Sequence, residues 1–492
     1  MELNINDIWQ NLLQLLDYDP KAPMIFSSGI FWGLFIVFMP VYAMLRRRKW
    51  QMVTFVIAFS LFFYYKSSGW FFLMLMATSL LDWNLSRLMA VLEKRWQRRL
   101  CLWTSIIVSL SILGYYKYAN FFLANWTSIV GSNFQPLNLV VPVGISFYTF
   151  QSISYVVDVY KRRINPTDTW LNYVFFLSYF PALVAGPIVR ADYFLPQIDE
   201  NRHASRDEVY TGLWLIILGV VKKAVIADYI AQYNDLIFNN PTGYSGFESL
   251  MGVMGYTMQI YCDFSGYSDM AIGISLIMGF RLMKNFDFPY KSKNLTEFWH
   301  RWHISLSTWL RDYVYIPLGG NRKGTLRTYV NNFLTMLIGG LWHGADWKFV
   351  FWGAMHGVGL AVHKLCKPLL SRLPDWWIIK ATAWGVTMIY VSLLWVFFRA
   401  ASWADSWLIV KNIFTNFSVA HIVPFITTRY TWLIMMAVII VVHALPTRWV
   451  DRWGEWFVKS PWVLKLALFL VVVQLVVQFM GEDVAPFIYF QF

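Results

Sequence analysis

Residues 294–344 read NLTEFWHRWHISLSTWLRDYVYIPLGGNRKGTLRTYVNNFLTMLIGGLWHG, and this stretch decides how the rest of the chain is taken. Over 295–316 the apolar Trp299, Trp302, Ile304, Leu306, Trp309 and Leu310 are interleaved with His300, Arg301, His303, Arg311 and Asp312. That pattern predicts an amphipathic helix lying at a membrane interface or re-entering from it. A break follows at Pro317, Gly319 and Gly320, then the basic turn Asn321, Arg322, Lys323 and Gly324, then an apolar helix ending in GGLWHG at 339–344. Three of the eight histidines (His300, His303, His343) lie here. Ionisable groups at membrane depth are costly unless they face protein or a watery cavity, so they are the first candidates for chemistry.

Outward from this stretch the composition is that of a membrane protein. Of 492 residues, 58% are hydrophobic and 14% charged, too little charge to cover a soluble surface. The apolar runs suit helices of about 20 residues, not the alternating pattern of a barrel. An all-α, polytopic transmembrane bundle of about ten or more spans is expected. A net charge of +13 suggests nucleic acid, but the basic residues gather at span ends: 46–49, 94–99 and 161–163. Such clusters face the cytoplasm. They set crossings near 24–45, 51–65, 69–90, 100–116 and 139–160, and nucleic acid drops out as a partner. The first 20 residues carry Glu2, Asp7, Asp17 and Asp19 and lack a basic start before an apolar core, so the 24–45 span reads as an uncleaved anchor. The three cysteines are scattered and form no disulfide or CxxC framework.

Irregular segments follow. Residues 171–190 are apolar but carry Pro181, Gly186 and Pro187, predicting a re-entrant or kinked element lining a cavity. A surface loop is expected over 190–208, a crossing over 209–229, and a long helix over 251–280 interrupted by YCDFSGYSDMAIG at 261–273. Ser265, Gly266 and Ser268 suit a close helix contact, but Asp263 and Asp269 are not buried cheaply, and Asp269 is a candidate for a functional cavity. Further spans are expected near 347–364, 380–399, 429–446 and 462–480. No repeat or soluble domain is evident, so residues 1–492 read as one transmembrane domain, with N-terminal spans over 1–138 and the chemistry-bearing part over 139–492.

A lone histidine on an apolar helix is more often structural than catalytic. His343 lies between Trp342 and Gly344 with Gly339 and Gly340 one turn before, so a ligand can come close. A neutral imidazole can then take a proton from a hydroxyl. His300 and His303, three apart, would share a helix face. Glu297 and His300 have the Glu-x-x-His spacing of di-iron bundles, as do Glu200 and His203, but the other glutamates such a site needs are missing from the spans, and no metal is expected. The loop PLGGNRKGT (317–325) suits an anion but lacks the P-loop ending. A basic turn at the cytoplasmic surface explains it equally. These residues describe a membrane cavity with histidines, carboxylates and a basic loop, which a transporter would also possess.

The segments 141–160, 180–190, 263–273, 298–320, 339–357 and WVFFRA at 395–400 together resemble the membrane-bound O-acyltransferase family, in its bacterial branch acting on extracellular polymers. The resemblance runs from about Leu139 to the C-terminus, including the ending FIYFQF. It implies re-entrant helices around a polar tunnel, with an acyl group, acetyl above all, arriving as a thioester of coenzyme A or an acyl carrier protein at the cytoplasmic side. It also implies hydroxyls of an extracytoplasmic polysaccharide (alginate-like, cellulose or peptidoglycan) as acceptor, periplasmic acetyltransferase partners, and a bacterial inner-membrane location. No bound cofactor is implied. His343 matches the family's essential histidine and His303 the second. Asp269, Ser265, Tyr267, Trp299, Arg311, Asn321, Arg322, Lys323, Asn332 and Trp342 become tunnel or donor-binding candidates, with Asn331, Asn332 and Trp342 as candidate oxyanion donors. His300 stands where many relatives are expected to carry arginine or lysine. D-alanyl transfer for teichoic acid is the near alternative.

Overall fold

The computed structural model describes residues 16–20, 23–200 and 202–479; Glu2, Asp7 and the stretch 482–492 lie outside them. Among the described residues the regular structure is helical, without a strand. Helices satisfy their own backbone groups, which lipid cannot do for them. Among the described residues five helices are long and apolar enough to cross a bilayer, or up to seven if each of two bent pairs is one span. The expectation of about ten includes shorter or more polar helices such as Gly29–Leu45, Ile145–Tyr160 and Gly246–Met278. Contacts divide the chain into two units, Met1–His203 with Gly279–Arg281 and Ala204–Met278 with Leu282–Phe492.

The first unit is built around a carboxylate. Asp82, on the Phe72–Val91 helix, accepts hydrogen bonds from Ser105 Oγ and Ser152 Oγ and from the Tyr173 hydroxyl at 3.4 Å. Four helices are thereby tied to one charge-bearing group, since a buried carboxyl is tolerated only when its oxygens are satisfied. The broken element is present: Trp170–Ser178 is followed by the one-turn Phe180–Leu183 and an irregular run to Arg190. Residues 172–191 are buried inside protein, and the Phe180 N–H donates to Ser60 Oγ at 3.2 Å. The expected surface loop after it contains a helix, Ala191–Asp199, because Phe194 and Ile198 fall one turn apart and bury one face.

In the second unit the Arg206–Val220 helix runs on through a π-turn, Val221–Ala227, into Asp228–Asn239, and lies antiparallel to the unbroken 33-residue Gly246–Met278 helix. The expected interruption at 261–273 does not occur. Gly212 faces Gly273, and Gly219 faces Gly266. A Cβ on Gly219 would sit 2.5 Å from Gly266 O, and one on Gly273 2.5 Å from Gly212 O. The glycines let two helix backbones touch instead of bending one of them. The same device joins the hairpin Thr325–His343 and Trp347–Leu370, where a Cβ on Gly353 would lie 2.4 Å from Met336 O. Trp377–Arg399 follows, then two bent pairs (97° and 100°) and the apolar Trp462–Phe479. Phe457, on the amphipathic Thr447–Lys459 helix, packs with Val472 against Ile217.

Candidate functional site

The predicted amphipathic helix over 295–316 is in fact two short helices, Leu295–Arg301 and Ile304–Leu310, with His303 at the corner between them. His303 has φ +44°, a left-handed conformation that costs a residue with a Cβ about 1 kcal/mol or more. The corner is held by a strap. Ile304 N–H donates to Asn285 O and Asp287 N–H to Arg301 O, each at 2.9 Å, and Arg301 also reaches the Asp287 carboxylate at 3.3 Å. Burial opposes ionisation of Asp287, but the Lys284 hydrogen bond and the charges of Lys284, Arg301 and Lys291 outweigh it and hold that carboxyl below its usual value. Because the helix breaks here, His300 and His303 do not share a face. His300 is exposed, with Nδ1 2.6 Å from Thr296 O, while His303 is wholly buried.

Asn285 sets the protonation of His303. Its Oδ1 accepts from the Ser305 N–H (3.2 Å) and Ser305 hydroxyl (2.9 Å), while its Nδ2 donates to Ser268 Oγ (3.2 Å). A backbone N–H can only donate, so the amide orientation is settled, and His303 Nδ1, 3.1 Å from the same Oδ1, must carry the proton. Nε2 is then the basic nitrogen of the neutral ring.

His343 ends the Thr325–His343 helix and is 4% exposed. Its ring lies 5.0 Å from Trp342, 5.1 Å from Trp352 and 5.1 Å from Phe398, centroid to centroid. Trp342 also touches His303, at 5.9 Å, so one indole stands against both histidines.

A cavity of about 280 Å³ lies beside this group. Trp299, Ile304 and Leu310 form one side of it, Asn332 and Met336 another, His300 also lines it, and Arg311 and Lys364 bring cations to it. Arg311 is ion-paired with Asp312 at 2.8 Å. His343 does not line this cavity, but Trp352 bridges the gap, 5.7 Å from Trp299 and 5.1 Å from His343.

A second cavity, of about 670 Å³, contains Asp269. There Asp269 pairs with Lys222 at 2.6 Å, and beside it the buried Lys223 lies 2.6 Å from Asp263 and 2.7 Å from Asp228. The π-turn, one residue wider than an α-turn, carries both lysines. Among the described residues, no three His, Cys, Asp or Glu side chains come together as metal ligands would.

Residues 169–404 match the model of the membrane-bound O-acyltransferase family. A probable alginate O-acetylase, AlgI, of Pseudomonas aeruginosa is 41% identical over 80% of this chain and 75% of its own length. A peptidoglycan O-acetyltransferase of Helicobacter pylori is 39% identical over 64% of each chain, and a teichoic acid D-alanyltransferase of Bacillus subtilis 33% identical over 45% of this chain and 59% of its own. The chain belongs to the membrane-bound O-acyltransferase family. It is a multi-pass membrane enzyme, an O-acyltransferase.

The residues singled out in the sequence of this O-acyltransferase fall into three places. Trp299, Arg311 and Asn332 meet at the smaller cavity, and Trp342 joins the two histidines. Asp269 faces the larger cavity, while Ser265 and Tyr267 are buried on the same long helix. Asn321, Arg322 and Lys323 are exposed in the turn and line neither cavity; Asn331 donates to Gly320 O at 2.9 Å and so anchors that turn. Sequence reasoning did not single out Lys364, Tyr315, His356 or Asn285. Lys222 and Lys223 did leave a signal, two adjacent lysines inside an apolar run.

Proposed function

We propose that this enzyme takes an acyl group, acetyl above all, from a thioester on the cytoplasmic side of the bacterial inner membrane and passes it toward hydroxyls of an extracytoplasmic polysaccharide. The donor is acetyl-coenzyme A or an acyl carrier protein, acting as substrate. The acceptor is an alginate-like polymer, cellulose or peptidoglycan, reached directly or through periplasmic acetyltransferase partners. The relatives named for acetylation align over more of this chain than the one named for D-alanyl transfer, which favours acetyl.

One observation carries the reading: His303 and His343 sit against the same indole, one aromatic layer from a cavity with a cationic lining. The Gly340 and Gly353 contact makes 325–343 and 347–370 an antiparallel hairpin, so Arg322, Lys323 and Arg327 lie at the same end as Lys364, Lys367 and Arg372. Basic ends favour the cytoplasm, which is where phosphate-bearing thioesters are. His343 takes the proton of the attacking hydroxyl, the C–O bond forms, and the C–S bond breaks. The departing thiolate receives the proton. General-base catalysis of this kind contributes about 10²–10⁴-fold. His303, with Nε2 basic, positions the donor or assists proton movement.

The test is turnover of acetyl thioester by purified His343→Ala protein in nanodiscs, with donor binding measured in parallel. Lost transfer with retained binding supports the reading; unchanged transfer overturns it.

A further inference from the structure

His356 lies in the middle of the Trp347–Leu370 helix and is completely buried. Neither of its ring nitrogens has a hydrogen-bond partner among the described residues. The same holds for Nε1 of Trp299 and Nε1 of Trp352, and the three rings are mutual neighbours: His356 is 5.0 Å from Trp299 and 4.6 Å from Trp352, and the two indoles are 5.7 Å apart. A buried polar group left unsatisfied costs about 1–3 kcal/mol, and proteins rarely carry several side by side without use. A neutral imidazole offers one donor and one acceptor, and each indole one donor. Three donors and one acceptor therefore meet in one apolar place.

Its position gives the cluster a purpose. Trp299 and Leu360, one turn beyond His356, both line the smaller cavity, and Trp352 is in ring contact with His343. The cluster stands between the cavity and the proposed reaction centre.

We propose that His356, with the indoles of Trp299 and Trp352, binds a secondary amide of the donor's thiol arm. An amide carbonyl accepts from an indole N–H while the amide N–H donates to the imidazole, a match of two complementary groups that a plain alkyl chain cannot make. This rests on the reading of the cavity as the entry for a cytoplasmic thioester. It assigns His356 to binding, not to proton transfer at the ester.

The experiment compares two small donors on the purified enzyme in nanodiscs: S-acetyl-N-acetylcysteamine, which carries the amide, and an S-acetyl alkanethiol of equal length, which does not. The wild-type protein should favour the amide donor by about 10-fold in kcat/KM, the worth of one or two hydrogen bonds. His356→Phe keeps the ring and removes both nitrogens. It should erase that preference, acting through KM with kcat nearly unchanged, while His356→Gln, which keeps a donor and an acceptor, restores part of it. Thermal unfolding of each variant shows that the folded protein is being compared, and the within-variant ratio is insensitive to how much enzyme is active. A preference that survives in His356→Phe, or that the wild-type lacks because ordered water alone fills the cluster, overturns the proposal. Failure of the thioester reading itself looks different: neither donor is then turned over by any variant, and His343→Ala changes nothing.

Discussion

Nδ1 of His303 lies 3.1 Å from Oδ1 of Asn285, an oxygen that also receives the N–H and hydroxyl of Ser305. A residue 18 positions upstream thus selects the tautomer of a histidine whose backbone is itself in an unfavourable conformation. Asn285→Leu removes the acceptor and leaves the Ser305 and His303 donors buried, at about 1–3 kcal/mol for each orphaned group. Unfolding temperature should drop and kcat should drop with it, by at least about 10-fold if His303 takes part in proton movement. Turnover equal to wild type in a folded Asn285→Leu protein would remove His303 from the chemistry.

The left-handed corner separates strain from chemistry at one position. His303→Gly and His303→Ala both lack the imidazole, and both should lose transfer activity. Only glycine accepts φ +44° freely, so His303→Gly should unfold later than His303→Ala by about 1 kcal/mol. Equal stability in calorimetry would show that the corner relaxes.

The triad of buried Lys223 and Asp263 with the partly buried Asp228 should be sensitive to the loss of its cation. Lys223→Met leaves two carboxylates without it inside apolar surroundings, a loss of about 3–5 kcal/mol. Lys222→Met, at the less buried pair with Asp269, should cost less. Detergent-solubilised thermal unfolding of the two variants ranks them, and the opposite order would contradict the assignment.

The glycine contacts make a steric prediction. Gly219→Leu and Gly266→Leu each drive a side chain into a backbone carbonyl less than 3 Å away. Because the obstacle is backbone, the helices must separate, and the folded yield of either variant should collapse. Gly385→Leu, where nothing lies within 4 Å of a Cβ, is the matched control and should fold.

Arg311 and Lys364 bring positive charge to the smaller cavity. Neutralising either, as Arg311→Gln or Lys364→Gln, should raise KM for a phosphate-bearing donor by a few fold, in line with about 0.2–1 kcal/mol for an exposed ionic contact. The effect should shrink in 1 M salt, where the screening length is about 3 Å. An unchanged KM at low salt would place the donor elsewhere.

The sequence by itself determined the solvent of this protein, its helical class and the neighbourhood of its chemistry. Long apolar runs, basic span ends and the scarcity of charge state these things locally, because burial in lipid acts on each helix separately. It also singled out Trp299, Arg311 and Asn332, which the fold brings to one cavity, and the two histidines that share Trp342. Tertiary structure decided which polar groups are satisfied, and by what. The stretch 261–273 read as an interruption and its Asp263 and Asp269 as costly to bury, yet the helix is continuous and Lys223 and Lys222 pair with them from another one. His300 and His303 read as one face, yet the strap at Asn285 turns the chain between them and buries only the second. His356 drew no notice among apolar neighbours, and only the packing of Trp299 and Trp352 around it leaves its nitrogens without partners. Local pattern records the price of burying a residue, but the partner that offsets it comes from a distant part of the chain, and that pairing exists only once the helices have met.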